Sequence, residues 1–149
     1  MDEAGHVNGT MIGTRASSDV RAALLWRNQI VHPSVMIRKS CFDAVHGYNE
    51  NLATMEDLDL WLRLGTVGEI AVLDEVMLRY RVHDSQMSRR AGWRGRHISE
   101  IRKSRIGLAA ELGVPRVAAE VLHGAWVGAQ VARSTALVQT GYVRRMAKG

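Results

Sequence analysis

The 149-residue chain has one cysteine, Cys41, two prolines and one phenylalanine, and only 5% of it is aromatic. A single thiol excludes an internal disulfide framework and points to a reducing compartment. No run of about 18 apolar residues occurs, so no segment reads as a membrane span. No apolar stretch follows Met1-Asp2-Glu3, so no secretory signal is read there and a cytoplasmic location is expected. Two phosphate and metal signatures are missing as well. No glycine-rich loop opens a helix to cradle phosphate, and the only Asp-x-Asp is Asp57-Leu58-Asp59.

Enough apolar sequence is present, 46% against 23% charged, for one ordinary domain with a core. The charge is uneven. Residues 1–88 hold 8 Lys+Arg against 12 Asp+Glu, whereas residues 89–149 hold 12 against 3. The basic part includes Arg89, Arg90, Arg94, Arg96, Arg102, Lys103 and Arg105. A surface of this sign attracts phosphate on lipid, nucleic acid or a nucleotide sugar. A solvated helix face and a basic tail give the same count.

The acidic run Glu56-Asp57-Leu58-Asp59-Leu60-Trp61-Leu62-Arg63 predicts a helix capped by Thr54 and stopped at Gly65. Asp57, Leu60, Trp61 and Leu64 share one face, placing Asp57 at the edge of the core. By itself an acidic first turn does no more than complement the helix dipole, worth about 0.3–1 kcal/mol per residue. On a rigid element at a core edge, the same carboxylate can serve as a base.

Elsewhere Asp2-Glu3-Ala4-Gly5 reads as a hairpin turn, and Asp19 caps a short helix over Arg21–Trp26. Asn28–Arg38 reads as a buried strand broken at His32-Pro33-Ser34, because Pro33 removes a ladder donor. Ser40 caps a helical turn over Cys41–Val45 that Gly47 closes. Glu69–Leu73 and Val76–His83 read as strands. The second alternates cleanly and puts Arg79, Arg81 and His83 on one face, a candidate anion-binding or metal-supporting surface. An exposed polar strand face looks the same. From His97 the pattern is helical, first to Gly113 and then from Pro115 toward Val138.

In order, Asn28–Ser34, His46-Gly47-Tyr48-Asn49-Glu50, Met55–Arg63 and Leu78–His83 with Gln86 and Ser88 resemble the second half of a family 2 glycosyltransferase of the GT-A fold. The resemblance covers about residues 3–90. It implies an α/β, Rossmann-like fold whose acceptor-side half is residues 1–90, followed by a basic helical extension over 91–149. It further implies sugar transfer from a nucleotide-diphosphate sugar to an acceptor hydroxyl, with inversion and a divalent cation, Mn or Mg.

Under that resemblance Asp57 is the general base, a role needed because an alcohol is a poor nucleophile until its proton is taken. Glu56 lies beside it as a catalytic neighbour. Gly47 lets backbone amides approach the donor, although position 46 is His where the family more often has a second glycine. His83 is the metal-proximal histidine, Arg79 and Arg81 neutralise leaving phosphate, and His32 with Ser34 line the acceptor side. Gln86-Met87-Ser88-Arg89-Arg90 departs from the Gln-x-x-Arg-Trp of processive synthases, so non-processive transfer is expected.

The family's donor half, with its metal-holding Asp-x-Asp, has no counterpart before these motifs. The chain is therefore expected to be a fragment with little or no activity alone. Its expected partners are an acceptor glycan or glycolipid, a donor-half protein, and a second copy of itself. The rival reading is a non-catalytic module that docks on a partner transferase or on the anionic inner membrane face through 89–149. Nucleic acid is not expected, because the basic residues lack interleaved aromatics beyond Trp93.

Overall fold

The computed structural model describes residues 17–73, 75–79 and 95–146. These residues hold, in order, α1 Ser17–Leu24, α2 Lys39–Ala44, α3 Glu56–Val67, α4 Gly95–Glu111 and α5 Arg116–Met146. Among the described residues there is no strand, so the α/β, Rossmann-like GT-A expectation is corrected to a helical fold. The run Asn28–Arg38 has extended backbone at Val31, Val35 and Arg38, but a short 3-10 turn over His32–Ser34 interrupts it. Residues 69–73 and 76–79 are likewise outside regular structure, while the remainder of that second expected strand lies outside the described residues. The physical reason is that a strand exists only as one side of a ladder. Alternating apolar residues create the half-buried face without creating the partner.

Helix α3 is the centre of the fold, packing against α1, α2 and α4. It buries Leu58, Asp59, Leu60, Trp61, Leu62, Leu64 and Gly65, so the single apolar stripe read from the sequence is too narrow. Gly65 does not stop the helix. A Cβ there would lie 2.9 Å from Leu108 Cδ1, so the missing side chain is what admits α4 to this turn. The helix runs on to Val67, and Gly68 N–H still bonds to Leu64 O at 3.1 Å.

Two other helix boundaries moved. Asp19 lies within α1 rather than capping it, and Ser40 lies inside α2. At the end of α2, His46 N–H bonds to Asp43 O and Gly47 N–H to Phe42 O, the paired bonds of a left-handed helix stop. Both His46 (φ 58) and Gly47 (φ 65) are left-handed. The two helices expected after residue 97 are present. Gly113, at φ 69, turns the chain between them. Ile101, Leu108 and Ala109 of α4 and Ala119 and Trp126 of α5 are buried in the common core.

Candidate functional site

Asp57 sits in the first turn of α3, half-buried. Its two oxygens are separately engaged: Oδ2 accepts from Asn28 Nδ2 at 3.0 Å, and Oδ1 accepts from the Leu58 amide at 2.7 Å. Each carboxylate oxygen has two lone pairs, so one on each is left to accept a proton. The Leu58 contact also satisfies one of the first-turn N–H groups that every helix leaves open. Thr54, the expected cap, is not used for this. Its hydroxyl instead pairs with His97 Nδ1 of α4 at 3.1 Å, because Met55 enters the helix in a left-handed conformation (φ 67) with no side-chain cap.

His32 joins the same region from the 3-10 turn. Its Nε2 shares a 2.7 Å hydrogen bond with Tyr48 Oη, and its ring meets Trp61 edge-on, centroids 5.7 Å apart. Trp61 is one turn beyond Asp57 on α3. Tyr48 is braced on its other side by Phe42, edge-on at 5.6 Å. Asn28, His32, Tyr48, Asp57 and Trp61 thus come from three separate stretches, in two contact groups that α3 sets one turn apart: Asn28 with Asp57, and His32 with Tyr48 and Trp61. Glu56 is half-buried beside them.

The other sequence-selected residues fall differently. Ser34 donates its hydroxyl to Val31 O at 2.8 Å and so closes its own turn. The Gly47 amide goes to Phe42 O, which leaves it serving the helix stop. Arg79 is exposed, and Arg81 and His83 lie outside the described residues. Among the described residues no three His, Cys, Asp or Glu side chains assemble as a metal site.

Sequence reading missed two buried charges. Asp59, 1% exposed, accepts from Arg63 Nε at 2.8 Å and from Ser104 Oγ of α4 at 2.6 Å. Both its oxygens are occupied and hidden from solvent, so of the pair Asp57-x-Asp59 only Asp57 can meet a ligand. The signal was the Arg63 four residues on, the spacing at which helical charges pair.

The second charge is Arg105, 0% exposed, whose guanidinium lies 4.3 Å over the Trp126 ring. Its Nη1 donates to His123 Nδ1 at 2.7 Å, which leaves the ring proton of His123 on Nε2. Burial lowers the Arg105 pKa to about 10. Burial first, then the charges of Arg105 and Arg102, lower that of His123 to about 4, with Glu120 opposing. Arg102 pairs with Glu120, and Lys103 with Glu100. Arg102, Lys103 and Arg105 are thus paired or buried, and their share of the basic surface expected from the count is correspondingly smaller.

No helix of the described residues is long and apolar enough to cross a membrane. Compared with known proteins, the chain matches no family model, no curated protein and no solved structure.

Proposed function

We propose that the Asn28–His32–Tyr48–Asp57–Trp61 cluster is the acceptor side of a glycosyl-transfer site. The observation that carries this reading is that three segments selected by sequence resemblance meet along α3: Asn28 bonds to the half-buried Asp57, and one turn on His32 packs against Trp61 and bonds to Tyr48. Asp57 takes the proton of an acceptor hydroxyl. The acceptor oxygen then bonds to the anomeric carbon of the donor sugar as the bond to the nucleoside diphosphate breaks, and the leaving group departs with that electron pair. Proton removal in the transition state is the contribution a positioned base makes, about 10²–10⁴-fold. No residue described here is assigned to the diphosphate or to a metal, so the proposal covers the acceptor side alone.

The test compares transfer from a panel of nucleotide-hexoses by the isolated chain and by the chain joined to a donor-binding half. Product only from the joined protein is expected. Equal rates from the isolated chain would contradict an acceptor-only assignment. No product from the joined protein with any donor of the panel would contradict transfer itself.

A further inference from the structure

Tyr48 is held by more than its bond to His32. The peptide before it carries Gly47 O, which accepts from Arg63 Nη1 at 2.8 Å, and the same Nη1 reaches Val45 O at 2.5 Å. These are carbonyls just beyond α2, of the kind that a helix C-terminus leaves without intrahelical partners. The other edge of the Arg63 guanidinium is fixed by Asp59, whose Oδ2 accepts a hydrogen bond from Nε at 2.8 Å and lies 2.7 Å from Nη2 as an ion pair. Asp59 in turn is fixed by Ser104 of α4 at 2.6 Å. One planar fork therefore binds a buried carboxylate on one side and the turn bearing Tyr48 on the other, a geometry that a lysine cannot reproduce.

We infer that Arg63 is a positioning residue for the Tyr48–His32 pair, and that Asp59 and Ser104 extend this control to α4. The inference rests on the acceptor-site reading for its functional meaning, but the linkage itself is measurable without turnover. It also makes Ser104, outside the stretch that resembles a glycosyltransferase, a supporting part of the site.

The experiment follows the His32 Nε2 nitrogen resonance at one fixed pH in the full chain. In the wild-type chain, Tyr48→Phe removes the hydroxyl partner and moves this resonance. In Arg63→Lys the resonance is expected to lie already at the Tyr48→Phe position, and adding Tyr48→Phe should move it no further. Asp59→Asn retains an acceptor oxygen without the charge and should lose at least half of the Tyr48-dependent shift, and Ser104→Ala a smaller part. If Arg63→Lys fails to fold, Asp59→Asn decides. A folded Arg63 or Asp59 variant with the full wild-type Tyr48-dependent shift overturns the inference, even if its stability is reduced, because a purely structural role would lower stability without touching this signal. Should Asp57→Asn retain turnover while the linkage holds, the functional reading fails and the positioning role stands.

Discussion

Asn28 donates its side-chain amide to Asp57 at 3.0 Å, joining residues 29 positions apart. With the Leu58 amide on the opposite oxygen, this bond sets which lone pairs of the carboxylate face outward. Asn28→Ala should therefore lower the turnover of a reconstituted transferase about tenfold, equivalent to about 1.4 kcal/mol in the barrier. The cost in folding stability should be at most about 1 kcal/mol, because the bond is exposed. Asn28→Asp sets two carboxylates together and should be worse than Ala. Unchanged turnover at saturating acceptor in both variants would show that Asp57 needs no such orientation.

Asp59 and Arg63 form a pair whose anionic member is 1% exposed. Removing one partner of a buried pair leaves a charge without compensation, which costs about 3–5 kcal/mol. Asp59→Ala should lose an amount at the low end of that range, since Arg63 is partly exposed and retains two carbonyl acceptors. Urea denaturation measures it. A loss under about 1 kcal/mol, typical of surface pairs, would contradict the buried role.

His123 supplies a pH dependence. Its folded pKa of about 4 lies below the ordinary 6.5, so between these values the unfolded chain binds more protons than the folded one. Stability from this group is complete above pH 6.5 and is lost as pH falls toward 4, at most about 3 kcal/mol in all. His123→Gln should flatten the urea midpoint across that window. An equally steep loss in His123→Gln would assign the acid sensitivity to other groups.

His46 and Gly47 are both left-handed, although only one of them is glycine. A left-handed L-residue costs about 1–2 kcal/mol, partly offset in a glycine variant by the entropy of its unfolded chain. His46→Gly should thus stabilise the protein by about 0.5 kcal/mol. Gly47→Ala should destabilise it by more than that, because the new Cβ would be both strained and 3.0 Å from the Phe42 ring. Thermal denaturation of the two variants should give shifts of opposite sign.

These residues also show what the sequence could and could not reveal. The acidic opening of α3 at Glu56, the stop at Gly113 and the helices on either side of it are written in local chemistry, and local chemistry was enough to read them. The strands read at Asn28–Arg38 and Glu69–Leu73 were not, because β-branched residues report a preference for extended backbone and say nothing of a pairing partner. Asp59 was hidden by a helical stripe drawn through Asp57, Leu60, Trp61 and Leu64. That construction assumes one buried face, whereas α3 has neighbours around most of its circumference. Arg105 was counted with the basic surface, yet it follows Ile101 by four residues and precedes Leu108 by three, which places it on the buried face of α4. Thr54 illustrates the converse. Its spacing suited a cap, but a tertiary partner, His97, took the hydroxyl.

The central claim is that Asp57 accepts the proton of an acceptor hydroxyl. The most direct measurement is kcat of Asp57→Asn against wild type, both joined to the same donor-binding half, with donor Kd measured in parallel. The account predicts a loss of about 10²–10⁴-fold in kcat with donor Kd unchanged. Turnover of Asp57→Asn equal to that of wild type would contradict it.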